Sequence, residues 1–194
     1  MENKNKVQYG LKNVHYASVT YDELTGEPTY GTPTRWNGAI EMVLDPAGDL
    51  YKLKADNIDY YVNQNNQGYS GNFKSALIPD DFRIAHLGET LNSDGTISEY
   101  ANSQSTPYAL MFQFEGDVNA TRYILYHCVS GRTTLGSVTK DGGEVNTSDL
   151  TVTASPRPHD ELIKHKAEKG STQYDNWFTQ VQEPVGTSTE VTGG

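Results

Sequence analysis

The feature that most constrains this chain is a period-two alternation that returns along nearly its whole length. It runs through VHYASVTY (14–21), GAIEMVLD (38–45), LYKLKA (50–55), NFKSALI (72–78), YALMFQFEGD (108–117), TRYILYHCVS (121–130) and LTVTASP (150–156). Successive side chains of a strand point to opposite faces, so such runs bury one face and wet the other. Turn-forming clusters separate them: TGEPTYG, DPAGD, and LNSDGTIS (91–98) with its Asp94-Gly95. The expectation is a mainly β fold, a β-sandwich or half-barrel.

Within it, 38–45 and 50–55 read as a hairpin. Ile40, Met42 and Leu44 face inward with Glu41 outward, and Tyr51 and Leu53 lie opposite Lys52 and Lys54. The strongest pair is 108–117 with 121–130, joined at Gly116. One face of its first strand carries Leu110, Phe112 and Phe114, and the other carries Met111, Gln113 and Glu115. Residues 150–156 are expected to close the sheet, after a loop over VTKDGGEVNTSD (138–149).

One segment breaks the alternation in favour of a helix. In PDDFRIAHLG (79–88), Pro79 suits a first turn, Asp80 and Asp81 complement the positive end of the dipole, and Gly88 suits a left-handed stop. Phe82 and Leu87, with Ala85 between them, are expected to cover one end of the sheet. Beyond residue 157 the composition shifts. HDELIKHKAEKG (159–170) predicts an exposed helix, YDNWFTQVQEPV (174–185) holds Trp177 and Phe178 in need of a docking place, and GTSTEVTGG (186–194) reads as a flexible tail. The expected organisation is therefore a β domain over 1–157, a helix or arm over 158–185 and a tail over 186–194.

Charge narrows the function classes. Twenty-five acids against fifteen bases give a net charge of −10. That balance disfavours wrapping of nucleic acid, which needs Lys and Arg to displace counterions, and it disfavours anionic membrane surfaces. A single cysteine, Cys128, excludes an intrachain disulfide and suits a reducing compartment. The first residues, MENKNKVQYG, carry no apolar run of the signal-peptide kind, and no stretch approaches a membrane span.

Catalytic and metal patterns fail one by one. TLNSDGTISEYA (90–101) brushes a calcium loop but has Thr90 and Ala101 where an acid and a bidentate Glu are needed. His127 and Cys128 are adjacent on a strand and point apart. His159 and His165 lie six apart, not at the zincin spacing. No nucleophile elbow, phosphate loop or dinucleotide fingerprint occurs. No enzyme activity, metal site or cofactor is expected.

What stands out instead is ADNIDYYVNQNNQGYSGNF (55–73), too polar for a core and too aromatic for an idle loop. Tyrosine among small polar residues is the chemistry of contact surfaces, giving area at low entropic cost. The expected interface residues are Tyr60, Tyr61, Asn63, Asn65, Asn66 and Tyr69, with Trp177 and Phe178 on the arm as a second set. A non-catalytic carbohydrate-binding module is the alternative. Its aromatics would be Trp-rich, and this chain has thirteen tyrosines against two tryptophans.

The motifs YGLKNVHYA (9–17), YGTP (30–33), GAIEMVLDPAGD (38–49), ADNIDYY (55–61), GYSGNF (68–73), ALIPDDF (76–82), LMFQFEGD (110–117) and RYILYHC (122–128) occur in an order that resembles the major tail proteins of long-tailed bacteriophages, the phi13-type group. The resemblance covers most of 6–156. It implies a tail-tube β-sandwich with one flanking helix, polymerising as six-fold rings that stack around a channel for the genome. The implied partners are copies of the chain itself, the tape-measure, initiator and terminator proteins of the tail, and DNA in transient, non-specific passage. The implied location is the virion tail, with the host cytoplasm during assembly, and no membrane. An acidic channel wall would repel DNA without binding it. Glu41 and Glu115, opposite the apolar stripes of their strands, are the expected channel-facing residues.

Overall fold

The computed structural model describes residues 9–136 and 146–186. The strands are β1 (Leu11–Tyr21), β2 (Pro28–Tyr30), β3 (Thr34–Arg35), β4 (Ala39–Ala47), β5 (Leu50–Ala55), β6 (Ile58–Gln64) and β7 (Gly68–Ser75). After the helix α1 (Asp80–His86) come β8 (Thr90–Leu91), β9 (Ile97–Ser98), β10 (Tyr108–Phe114), β11 (Arg122–Ser130), β12 (Ser148–Ala154) and β13 (Lys164–Ala167). The mainly β expectation holds. One antiparallel sheet runs β2-β1-β10-β11-β12-β7-β4, with β3 on β1 and β13 on β11. The strip curls without closing into a barrel. Its far strand β4 comes back beside β1, and Trp36, just before β4, donates its backbone N–H to Val14 of β1.

Several local readings change. Residues 38–45 pair with β7, not with 50–55. The latter pair with β6, so 39–75 is one long hairpin whose outer half leaves the sheet. Ile40 is half-exposed because a bulge between Ala39 and Glu41 turns it out of the apolar stripe, while Met42 and Leu44 pack inward as expected. Strand β12 lies inside the sheet, between β11 and β7, and so does not close it. The helix expected over 159–170 is absent: 164–167 is a strand on β11, where backbone pairing and Ala167 burial outweigh an exposed helix. Most of the loop 138–149 and the tail 187–194 lie outside the described residues.

The helix is where the sequence places it, followed by Gly88 at φ 77°. Its buried face, however, carries Phe82 and His86, with Leu87 just after, while Ala85 is exposed. Phe82 is fully buried and meets Trp36, Tyr16 and Tyr108 at ring-centroid distances of 4.7, 5.1 and 5.0 Å, all edge-on. Edge-to-face contacts of this kind add to area burial. The Trp36 indole donates to Ser75 Oγ at 2.8 Å, so the core's buried polar atom is satisfied.

Strand β10 is buried on both faces. Leu110 and Phe112 enter the Phe82 core, whereas Met111 enters a second core with Ile124, Tyr126 and Trp177. The second core is roofed by the C-terminal arm. Replacing Phe82 by Ala should therefore destabilise the fold by about 3–5 kcal/mol, the range for a buried aromatic deleted to a cavity. Denaturant unfolding checks it, and a loss under about 1 kcal/mol would contradict this core.

Burial is the largest cause holding the pKa values of His15, His86 and His127 below the ordinary 6.5. The unfolded chain regains ordinary values and so binds more protons in the window between the two. Stability contributed this way is complete above about pH 6.5 and is lost as pH falls through the depressed values. Unfolding midpoints measured from about pH 8 down to about pH 5 should decline on the acid side, and a flat profile would contradict the buried neutral imidazoles.

Candidate self-assembly surface

Residues 48–67 form a two-stranded extension of the β4–β7 pair. The ladder is nearly continuous: Gln67 donates to Ala47 and Asn65 to Asp49, then Leu50↔Gln64 down to Ala55↔Ile58. The end is a two-residue turn, Asp56-Asn57, with φ of 52° and 62°. Both central residues at positive φ match the twist of a tight hairpin, and Asp and Asn tolerate that region.

The register sorts the side chains. Leu53 lies opposite Tyr61 and Ala55 opposite Ile58, on one face. Lys52 lies opposite Val62 and Lys54 opposite Asp59, on the other, where Lys52 Nζ reaches Asp59 Oδ2 at 2.9 Å. Tyr60 is the extra residue at the register shift between the two strands. One face is thus apolar and aromatic, the other charged. The fold leaves both uncovered: Leu53 is 48 %, Ile58 61 %, Tyr60 71 % and Tyr61 50 % exposed. A two-stranded ribbon with no covering layer is marginal by itself.

The expected interface residues divide accordingly. Tyr60, Tyr61 and Asn63 project from the extension. Asn65 and Asn66 sit at its root, also exposed, and Asn66 Oδ1 accepts from the Gly68 backbone at 3.1 Å. Tyr69 is half-buried, its hydroxyl accepting from Lys164 Nζ at 2.6 Å. Trp177 does not belong with them. It is fully enclosed by its own chain, donating to the Tyr123 carbonyl, and offers no surface. Phe178 stacks on His15 at 4.7 Å, also within the chain.

The arm is fastened by Arg157, a residue no sequence pattern singled out. Its guanidinium, 4 % exposed, donates to Asp160 at 2.6 and 2.8 Å and to Glu183 at 2.7 and 2.8 Å, and lies over the Tyr126 ring. It holds both ends of the 158–183 excursion. Its bond to Asp160 is the main cause that keeps that carboxyl below the ordinary range.

A second bare surface is the outer side of β4–β7–β12. In register across it run Glu41, Lys74 and Asp149, then Val43, Asn72 and Thr151, then Asp45, Ser70 and Thr153. It is exposed, polar and net acidic. Glu41 lies on it. Glu115 lies elsewhere, 3.5 Å from Lys12 in an exposed ion pair.

Between the inner side of β4 and the β10–β11 pair lies an open cleft of about 370 Å³. Its floor is a cluster of Phe112, Phe114 and Tyr123, with ring centroids 5.4 to 5.6 Å apart. Met42 and Leu44 form one wall, and Lys164 and Tyr69 stand beside it. Among the described residues, no group of three or more metal-ligating side chains converges. The buried Cys128 thiol is pushed far up by desolvation and is not a nucleophile in this state.

No family model matches the chain, and no curated protein matches it. Among solved structures, it is similar to a chain of the anti-feeding prophage cap, described as the tube-terminating cap, at 10 % identity and a TM-score of 0.45 over 86 % of this chain and 96 % of that one. It is also similar to a chain of the six-fold-symmetrised anti-feeding prophage baseplate, at 10 % identity and a TM-score of 0.41 over 86 % and 97 %. Neither likeness assigns a role to any residue here.

Because Ile58 and Tyr61 are exposed in their own subunit, polar substitutions on this apolar face should be silent for folding. Ile58→Ser with Tyr61→Ser should change the unfolding free energy by less than about 0.5 kcal/mol each. Urea unfolding measures it, and a loss of about 2 kcal/mol or more would mean that the strip is buried in the free subunit.

Proposed function

We propose that this chain is a non-enzymatic structural subunit that polymerises with copies of itself into a phage-type tail tube. The observation that carries this reading is the amphipathic hairpin over 48–67, projecting from the sheet with its apolar face uncovered. Exposed apolar strips of this kind mark association sites. The ordered motifs that resemble phi13-type major tail proteins support the same reading from the sequence.

A tube needs a lining as well as a contact. The bare face of β4–β7–β12 supplies an exposed surface on which Glu41, Asp45 and Asp149 outnumber Lys74. A wall of that character repels a phosphate backbone and releases no counterions to it. In this reading Glu41 faces the channel, and so does Glu115 if its pairing with Lys12 leaves it at the rim. Rings, stacked rings, the tape-measure, initiator and terminator partners, and the virion-tail location all belong to the proposal.

The carbohydrate-binding alternative has less support. A sugar site combines a stacking ring with several convergent hydrogen-bonding groups. In the cleft the floor is Phe112, Phe114 and Tyr123, and the Lys164 ammonium and Tyr69 hydroxyl are already bonded to each other.

Negative-stain microscopy of the concentrated protein should show hollow tubes about 100 Å wide, a width reasoned from a few sheet layers of ~10 Å each around a duplex-sized channel. The folded Ile58→Ser, Tyr61→Ser variant should give none. A wild-type protein that stays monomeric at every concentration and with every tail-tip seed tried, or a variant that forms tubes normally, would sink the reading.

A further inference from the structure

The hairpin is a donor, and a donor needs a receiver. We propose that the cleft beside β4 receives the hairpin of a second copy, with Ile58 and Tyr61 seated over the Phe112–Phe114–Tyr123 floor. This rests on the self-assembly reading above and names its contact.

Three observations choose that occupant. The first is shape and chemistry. The cleft is an open apolar trough, walled by Met42 and Leu44, and it continues past Ile40, Met42 and Phe114 to Tyr9 and Leu11. The trough is elongated, as a projecting β-ribbon is. The second is charge. Lys164 stands at the trough beside Tyr69, and among the described residues no carboxylate pairs with it. At the hairpin tip Asp56 is exposed and, among the described residues, pairs with no cation, whereas Asp59 is taken by Lys52. An incoming tip brings the acid that the trough lacks.

The third observation excludes the simplest rival, two β4 edges pairing across a two-fold axis. That edge is interrupted at both ends. Ile40 bulges out at one, and Pro46, which has no N–H to donate, stands at the other. Bulges and prolines are the devices that keep edge strands from extending each other. Side chains entering the trough require no such ladder. Donor and receiver are different surfaces, so the contact is head-to-tail and repeats.

Cysteine cross-linking tests it, because the native Cys128 is fully buried and stays silent. Ile58→Cys and Met42→Cys, the latter partly buried on the trough wall, are purified separately, mixed under tube-forming conditions and oxidised. The expected product is the mixed dimer, in large excess over either homodimer. Charge reversal gives a second arm. Asp56→Lys or Lys164→Glu alone should lower its yield about fivefold, the factor of an ion pair worth ~1 kcal/mol, and the two together should restore it. Tubes that form while Met42→Cys never captures Ile58→Cys would overturn the receiver and leave self-assembly standing. A predominant homodimer of the Met42→Cys variant would replace the hairpin with a symmetric edge. No assembly in any mixture would end both readings.

Discussion

The rest of the structure depends on where the curled sheet stops closing. Near Trp36 its two ends are held together: the Trp36 backbone bonds Val14, its indole bonds Ser75, and Phe82 from the helix fills the space between. Farther along β4 the ends part, and the core's aromatic floor emerges in the trough. A strand edge and an apolar floor exposed together are costly in a lone molecule. The same parting frees β4 and β7 to run on past the sheet as the hairpin. Gap and projection are thus two consequences of one geometric choice.

Elsewhere the subunit is completed from within. The second face of β10 and β11 would also be bare, but the arm covers it with Trp177, Tyr174 and Ala167. Arg157 fixes both ends of that arm with paired forks to Asp160 and Glu183. A nearly buried guanidinium bonded to two half-exposed carboxylates keeps its charges hydrogen-bonded while their outer edges stay hydrated, which limits the desolvation cost. The unmet surfaces therefore gather on the β4–β7–β12 side, where one face is apolar and open and the other acidic and exposed.

The positions of β1, β4, β5, β10, β11 and β12, the helix and its Gly88 stop were legible because alternation and dipole chemistry are local. Pairing was not. Residues 38–45 and 50–55 are adjacent in sequence and alternate in the same sense, which reads as a hairpin; only the tertiary fold shows them as consecutive parts of one arm of a longer one. Asp56-Asn57 was the missed signal, a two-residue turn without the glycine that usually announces one. The arm misled for a different reason. Lys, Glu and His in HDELIKHKAEKG favour an exposed helix locally, yet β11 offered an unpaired edge that only the fold reveals. Among the expected interface residues, Tyr60 and Tyr61 lie exposed on the hairpin. Trp177 was misread because an aromatic in a polar stretch looks the same from sequence whether it docks in its own chain or on another.

The proposed head-to-tail contact also bears on when assembly would begin. In the free subunit the hairpin's backbone ladder is formed, but neither of its faces is covered, so its ordering rests on hydrogen bonds that water can replace. In the proposed contact the apolar free energy of Ile58 and Tyr61 would be gained only when a trough is presented, at about 25 cal/mol for each Å² covered. Two copies gain it once, against the full translational and rotational cost of association. On the proposed self-assembly, a subunit landing on an existing ring would touch several neighbours while bearing that cost once. Growth on a template is then favourable under conditions where spontaneous nucleation is slow, and this follows from the placement of one ribbon and one cleft on a single chain.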